Sequence, residues 1–203
     1  NRLNAETQSQ WRKLAEMQRP SGLWPWFPGG PDNEYLSLYI TTGFGRLRQL
    51  NVPVDESLAI RSLDALDAWM HKQYEQIRDK DPKRSDLSST IALYLYGRSF
   101  FLNDRPIPEP YQVALKYWLG QAKDHWVSQS RQSQAHLAIA LKRFGEDAVP
   151  SAILKSFKER SVSDEELGMF WRDTERSWWW YHAPIETQAI MIEAFDGIGR
   201  THV

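Results

Sequence analysis

The same seven-residue pattern, G-R-x-x-x-L-N, occurs twice in this chain, at residues 45–51 and 97–103. An apolar residue followed by proline comes directly after the first copy, at Val52, and four residues after the second, at Ile107. A repeat with a period of about 50 residues is typical of proteins in which one supersecondary unit stacks on the next. The chain is therefore expected to contain several copies of one structural unit.

The repeated unit is predicted to be a helical hairpin, because apolar residues recur at helical spacing along the whole chain. The predicted helices cover residues 3–18, 35–50, 55–77, 87–102, 111–122, 135–144, 149–157 and 185–198. The odd-numbered helices are apolar on one face and the even-numbered ones are apolar on most sides. This alternation favours four hairpins in two layers, with the even helices inside and the odd helices outside. No segment is predicted to be a strand.

The two-layer arrangement predicts which side chains face the interior. One residue of each even helix tests it: Ile40, Leu95, Ile139 and Ile192 are all expected to be buried. The predicted fold is thus all-α, a stacked or closed array of about four helical hairpins, formed by residues 1–203 as a single domain.

Composition excludes several functions. The 203 residues are 41% hydrophobic, enough for a sizeable core, and carry a formal net charge of -1, which gives no positive field to attract nucleic acid. No apolar run approaches the roughly 20 residues that a membrane-spanning helix needs, so direct membrane insertion is not expected. The absence of cysteine excludes disulfides, thiolate metal sites, cysteine nucleophiles and any thioester built on a cysteine of this chain. No metal site or cofactor is predicted.

Residues 22–33, GLWPWFPGGPDN, place much aromatic surface in a loop between two predicted helices. The rings of this loop are Trp24, Trp26 and Phe27, and a second aromatic cluster near the other end of the chain contains Trp178, Trp179 and Tyr181. Exposed rings can bind a sugar or a protein partner. The alternative, which the prolines favour by stiffening the loop, is that the rings pack between hairpin ends. We expect the loop to be mainly a plug, with a rim that is available to a partner.

The start of this loop resembles a turn of known helical proteins. Gln18, Gly22 and Trp24 match the Q-x(2-5)-G-x-W turn of α/α toroids, in which the ring packs between adjacent hairpins. Terpene cyclases, protein prenyltransferases and the thioester domains of alpha-2-macroglobulin and complement proteins share that toroid. The turn therefore implies a fold and a structural role for these three residues.

Two longer stretches resemble the bacterial alpha-2-macroglobulin family. GLWPWFPGGPDNEYLSLYITTGFGRL, residues 22–47, is similar to that family's G-x-(F/W)-x-W-F-x-G-G-x-D-x-x-(Y/W)-(I/L)-T-x-Y-I-x-x-G-(F/L)-G-x-L stretch, with Ser37 where the family often has threonine. MFWRDTERSWWWYHAPIETQAIMIEAF, residues 169–195, is similar to its (Y/F)W…(W/Y)-Y-x-x-P-I-E-T-Q-A stretch, which includes Pro184 and Glu186.

The resemblance implies part of the toroid domain of a broad-spectrum endopeptidase inhibitor. In that family a protease cleaves a bait region elsewhere in the chain and is trapped when the molecule rearranges. No residue of this segment would be a catalyst, and its partners would be neighbouring β-sandwich domains and, by way of the parent protein, proteases. The parent would be periplasmic or on the cell surface. The Cys-x-x-Gln thioester segment and the missing hairpins would lie upstream of Asn1, so apolar surface near the chain's start is expected to be exposed or covered by self-association.

Other residues are compatible with different chemistry. The strongest alternative is a glycan-binding or glycan-processing toroid domain that uses the tryptophan clusters as stacking subsites and Glu186 as an acid. Glu186 follows Pro184 in the first turn of the last helix, however, where a carboxylate is favoured by the helix dipole. Asp64-x-x-Asp67 is expected on the solvated face of the third helix, and His136 is expected to be a hydrogen-bonded structural residue.

Overall fold

The computed structural model describes residues 2–80, 84–166, 168–172 and 184–199, with side chains from Glu6 onward. The described residues form eight α-helices and four short strands. The helices are α1 (Arg2–Met17), α2 (Glu34–Gln49), α3 (Ser57–Glu75), α4 (Ser89–Arg98), α5 (Gln112–His125), α6 (Arg131–Arg143), α7 (Ala148–Glu159) and α8 (Pro184–Gly199). The strands are β1 (Trp24–Pro25), β2 (Asp32–Asn33), β3 (Val162–Asp164) and β4 (Gly168–Phe170). Three 3-10 helices cover Ser99–Phe101, Glu109–Tyr111 and Trp126–Ser128. The structure thus confirms that the fold is mainly helical.

The prediction that the chain has no strands was wrong in two places. β1 pairs antiparallel with β2, so that Trp24 lies opposite Asn33. β3 pairs antiparallel with β4, so that Val162 lies opposite Phe170. Each ladder is only two or three residues long, which is too short for the apolar-polar alternation from which strands are predicted. Both are minimal antiparallel ladders of two or three residue pairs.

The chain divides into two compact units. The first contains residues 1–79 and 100–115, and the second contains residues 80–99 and 116–203. The prediction of one domain over residues 1–203 stays a prediction.

The core of the first unit forms where α2 and α3 pack together. Phe44 on α2 and Leu63 on α3 are buried there with Trp24 of the first hairpin and with Phe101. Trp11 of α1 covers the cluster, with its ring centroid 5.3 Å from that of Phe44. The large buried rings explain why a unit of this size holds a continuous apolar core.

Both ends of α2 are capped by residues that suit their positions. Asn33 precedes the helix, and its side chain accepts a hydrogen bond of 2.8 Å from the backbone N–H of Leu36. At the other end Asn51 takes the left-handed conformation, with φ of 56°. The backbone N–H of Asn51 donates to the backbone oxygen of Arg48, and that of Val52 donates to the backbone oxygen of Leu47, each at 2.9 Å. This pair of bonds is a Schellman motif, which satisfies the last carbonyls of the helix.

In the second unit α6 packs against both α4 and α8, and α7 packs against α6 and α8. Leu95 on α4 and Ile139 on α6 are buried, as predicted. On α7, Ile153 and Phe157 are buried and the remaining face is mostly exposed. The three even helices of this unit therefore lie side by side, with a one-faced odd helix against two of them.

Two even helices are less buried than the sequence predicted. On α2 Ile40 is only half-buried and Tyr39 is exposed. The buried residues of this helix form a single stripe between Ser37 and Gly45, to which neither residue belongs. On α8 Ile192 is 59% exposed and Ile185 is also exposed. The neighbours α6 and α7 contact the face of α8 that carries its buried residues, and Ile192 lies on the opposite face. Apolar composition alone does not show whether a helix has neighbours on every side.

A further correction concerns Asp67 on α3. It was expected on the solvated face with Asp64, but its side chain is fully buried while Asp64 is exposed. The three-residue spacing separates the two carboxylates by only about 60° around the helix axis, which still suffices to place one at the exposed side and the other within the buried stripe. Asp67 lies on the buried stripe of α3, next to Leu66 and Met70.

Candidate functional site

The turn after α1 is closed by the side-chain amide of Gln18. Its Nε2 donates to the backbone oxygen of Gly22 at 2.8 Å and to that of Leu58 at 2.7 Å. Leu58 belongs to α3, so this one side chain joins the loop to a helix that lies 40 residues further along the chain. The side-chain amide thus bonds one carbonyl of the loop and one carbonyl of the first turn of α3.

Gly22 is required at this position for two reasons. Its φ is 87°, a conformation that L side chains rarely adopt. A Cβ atom placed on it would also collide with the backbone carbonyl of Arg61 on α3. The chain therefore crosses α3 in direct backbone contact before it enters the first hairpin.

Trp24 is the residue that fills the space beneath the turn, and it is 1% exposed. Its ring Nε1 donates to the backbone oxygen of Leu14, and its backbone N–H donates to Ser37 Oγ, both at 2.8 Å. A binding role for Trp24, which the sequence had suggested, does not fit this position. Trp24 is a core residue that ties α1 and α2 to the hairpin.

The tip of the β1–β2 hairpin is a tight turn formed by residues 27–30. The backbone N–H of Gly30 donates to the oxygen of Phe27 at 2.9 Å. Pro28 occupies the second position of this turn and Gly29 the third, with φ of 79°. Proline followed by a residue of positive φ is the signature of a type II turn. A Cβ on Gly30 would press on the Phe27 ring, so that ring lies directly against the backbone.

Arg19 holds the stem of the hairpin together, although nothing in its sequence context singles it out. Its Nε lies 2.7 Å from a carboxylate oxygen of Asp32, and its Nη1 donates to the backbone oxygen of Gly30 at 2.7 Å. Its own backbone N–H donates to the oxygen of Leu23 at 2.9 Å. Arg19 thus contacts both sides of the hairpin and its turn, because its guanidinium pairs with Asp32 and donates to Gly30 while its backbone N–H donates to Leu23.

Two rings remain on the outside of this braced hairpin. Trp26 is 55% exposed and Phe27 is 61% exposed. Large aromatic side chains in a loop whose backbone is already fixed lose little further entropy when a partner covers them. We call this part of the molecule, residues 18–33, the aromatic loop, and it is the candidate binding surface of the chain.

A groove of 550 Å³ opens beside the aromatic loop. Its lining comes from the end of α1 and from the loop itself: Lys13, Glu16, Met17, Gln18, Arg19, Pro20, Pro25, Pro28 and Gly29. Its volume falls within the range of about 300–1,000 Å³ that is usual for ligand pockets. Trp26 and Phe27 lie in the chain between two of its lining prolines.

The second predicted cluster cannot be placed in the same way. Trp178, Trp179 and Tyr181 lie outside the described residues. Pro184 is the first residue of α8, and Glu186 is exposed in the first turn of that helix. Proline at the first helical position and a carboxylate in the first turn both suit a helix start.

Gln188 on α8 is a structural residue that the sequence did not single out, although it belongs to the P-I-E-T-Q-A stretch. Its Nε2 donates to the backbone oxygen of Trp171 at 2.7 Å, and its Oε1 accepts from the backbone N–H of the same residue at 3.4 Å. Trp171 is buried and donates its ring N–H to the oxygen of Phe157 at 2.7 Å. Like Gln18, Gln188 fixes an irregular segment to a helix through its side-chain amide.

His136 is buried in the layer formed by α4, α6 and α8. Its ring stacks on Tyr96 with centroids 4.8 Å apart, and the Tyr96 hydroxyl donates to Glu193 Oε1 at 2.5 Å. The guanidinium of Arg143 lies over the Tyr96 ring and donates to Ser99 Oγ at 3.1 Å. Burial lowers the pKa of Arg143 from its usual value. These contacts link three helices through polar side chains.

The described residues contain no group of three or more histidine, aspartate or glutamate side chains placed to hold a metal ion. Within the same ranges, no helix combines the length and the apolar character that crossing a bilayer requires. No protein-family model matches the sequence, and a comparison with curated proteins gives no match either.

Proposed function

We propose that this chain is part of the α/α-toroid domain of a bacterial alpha-2-macroglobulin-like endopeptidase inhibitor, located in the periplasm or on the cell surface. In this proposal the chain contributes no catalytic residue. It carries a surface that packs against neighbouring β-sandwich domains of the parent protein, and the parent traps the attacking protease.

The turn after α1 is the observation that carries the proposal. Gln18 closes the turn through its amide, Gly22 allows a backbone contact with α3, and Trp24 fills the core with its ring. A turn from an outer to an inner helix of a toroid requires these three roles, and the residues belong to the longer stretch that resembles the family. The side-by-side packing of α4, α6 and α8 is compatible with the inner layer of such a toroid.

The exposed rings of the aromatic loop support a role in contact with another domain. Trp26 and Phe27 add nothing to the core, yet the turn and Arg19 fix the backbone that carries them. Aromatic side chains near the centre of protein interfaces contribute a large share of the binding energy. We assign this surface to the contact with a neighbouring domain that the parent must hold or release.

A protease-trapping assay on the full-length parent protein tests the proposal. After incubation with trypsin, a trapped protease should still cleave a small peptide substrate but not a large protein substrate. Trp26→Ala combined with Phe27→Ala should abolish trapping. The matched control replaces two exposed valines outside the loop, Val113→Ala and Val127→Ala, and should trap normally. A parent that leaves both substrates equally accessible would contradict the inhibitor proposal.

The second candidate function is binding or processing of a glycan by stacking on exposed rings, and Trp26 and Phe27 are the observation that favours it. A glycan array probed with the chain separates the two functions. Saturable quenching of tryptophan fluorescence by one sugar, lost in Trp26→Ala, would favour the glycan function. The inhibitor proposal expects no such sugar.

A further inference from the structure

We infer that the exposed face of α8, formed by Ile185, Ala189 and Ile192, binds an amphipathic helix that carries basic residues at both ends of its apolar stripe. This face belongs to the second compact unit and shares no residue with the aromatic loop. The inference goes beyond the proposed function and does not depend on whether the parent protein traps proteases.

The exposed face is a straight apolar stripe along the helix. Ile185, Ala189 and Ile192 follow one another at intervals of four and three residues, so they lie on one side of α8. All three are exposed, and Ile185 is exposed over 83% of its surface. Single exposed apolar residues are common in proteins, but a contiguous row of them is a feature of interaction surfaces.

The packing within the same unit indicates which kind of element covers such a stripe. α6 packs against α4 on one side and α8 on another, and every residue of α6 from Ser133 to Leu141 is buried. α8 has the more apolar sequence of the two helices, yet within the described ranges the face opposite α6 and α7 stays exposed. A further helix beside α8 would bury the stripe in the way that α8 itself helps to bury α6.

The charges of α8 determine the sign of the charges on the partner. The helix carries three carboxylates, Glu186, Glu193 and Asp196, and no lysine or arginine. Glu193 is used within the unit, because it accepts the hydrogen bond of Tyr96 and lies 3.9 Å from Arg143. Glu186 and Asp196 are exposed near the two ends of the stripe, about 15 Å apart along the helix axis. A helix with lysine or arginine at a matching distance therefore meets opposite charge on both sides of an apolar centre.

The same charges argue against a second copy of this chain as the occupant. Two α8 helices packed together would bring three carboxylates from each to one contact, with no basic residue from either helix. Like charges that face each other across an interface cost binding energy. Dimers of the chain that form through α8 would therefore contradict the inference.

The test uses the 203-residue chain and a labelled synthetic peptide of about 18 residues, long enough to be partly helical on its own. The peptide is rich in alanine, carries leucine at the spacing of the stripe, and has lysines about 15 Å apart on either side of the leucines. Fluorescence anisotropy should show saturable binding with a dissociation constant of about 100 μM, since contacts well below about 1,200 Å² are weak. A peptide of the same composition with scattered leucines should not bind.

A variant in the centre of the stripe tests whether binding occurs on this face. Ile192→Glu should weaken binding at least about tenfold, as expected for a central residue of an interface. Val127→Glu is the matched control, because Val127 lies in the same unit and is similarly exposed. That change should leave binding unchanged. Equal binding by the two variants would show that the peptide binds elsewhere and would overturn the inference.

Charge exchange gives a readout that a purely structural role would not move. Glu186→Lys should weaken the binding of the lysine peptide about fivefold, the size of one exposed ion pair, and should strengthen the binding of a peptide with glutamate in place of lysine. Glu159→Lys makes the same change of charge at an exposed position of α7 and should alter neither affinity.

Three results would overturn the inference. One is that wild type binds the lysine and glutamate peptides equally well, and another is that the lysine peptide does not bind at all. The third is that the chain alone forms dimers, measured by analytical ultracentrifugation, which Ile192→Glu abolishes. Because these assays contain no protease, their outcome is separate from that of the trapping assay.

Discussion

Gly45 on α2 lies so close to the ring of Phe100 that a Cβ atom does not fit between them. Gly45 is the first residue of one copy of the repeated pattern, and Phe100 lies within the other copy. The repeat therefore corresponds to a physical contact, in which a glycine from one copy of the pattern accepts an aromatic ring from the other.

We expect Gly45→Ala to destabilise the protein by about 1–3 kcal/mol, because an added methyl group forces the Phe100 ring out of its position. Gly43→Ala is the matched control, since it lies on the same helix and a Cβ there meets nothing within 4 Å. That change should be neutral or stabilising by up to about 1 kcal/mol, because alanine is the better helix former. Urea unfolding of both variants measures the difference, and equal effects would show that the Phe100 contact is not tight.

Gln18→Ala should lower the free energy of unfolding by about 1–3 kcal/mol, since it removes two partly buried hydrogen bonds, to the backbone oxygens of Gly22 and Leu58. Gln10→Ala, at an exposed position of α1, is the control and should change stability by no more than about 0.5 kcal/mol. Thermal unfolding followed by circular dichroism gives both values. A neutral Gln18→Ala would mean that the amide does not fasten the loop to α3.

The neighbouring tryptophans of the aromatic loop should differ sharply in their effect on stability. Trp24→Ala is expected to cost about 3–5 kcal/mol, because it leaves a cavity in the core and removes the donor to Leu14. Trp26→Ala should cost no more than about 0.5 kcal/mol, because its ring is largely in solvent. Chemical unfolding of the two variants is the measurement. A large loss for Trp26→Ala would show that its ring supports the fold rather than a partner.

Asp55, just before α3, should make stability depend on pH. Its carboxylate accepts hydrogen bonds from the side chain and the backbone N–H of Ser57, which lowers the pKa of Asp55 from the usual value of 3.8. A pKa that is lower in the folded state stabilises the protein above the unfolded-state pKa, and this contribution is lost as the pH falls through the folded-state value. Asp55→Asn keeps one oxygen that can accept from the backbone N–H of Ser57 and does not titrate. The stability that wild type gains from the ionised Asp55 should therefore stay constant, relative to Asp55→Asn, above about pH 4 and should decrease as the pH falls below it. The free energy of unfolding of both proteins, measured across that pH range, tests this.

The helices could be predicted because their signal is local and periodic. α3 shows this well: Leu63 and Met70 are buried while Arg61 is exposed, as the spacing of apolar residues indicates. The caps of α2 also carry a local signal, since Asn33 and Asn51 are residue types that suit a helix start and a left-handed end.

Features that depend on distant neighbours could not be predicted in this way. The burial of Asp67 and the exposure of Ile192 depend on which elements cover each face of a helix. The bracing role of Arg19 depends on the hairpin bringing Asp32 and Gly30 within reach of its guanidinium. For Gln188 a signal did exist, because it lies in a stretch that resembles a family motif, but its role was visible only when Trp171 was placed beside it.

The bracing of the first hairpin separates the residues that shape it from the residues that it shows to solvent. Arg19, Gly22, Trp24 and the turn at residues 27–30 set its backbone, and none of their bonds uses the side chain of Trp26. The side chain at position 26 can therefore be exchanged without a change in the backbone of the hairpin. An exchange of that exposed ring is expected to alter the chemical character that the hairpin presents to solvent while its backbone stays the same.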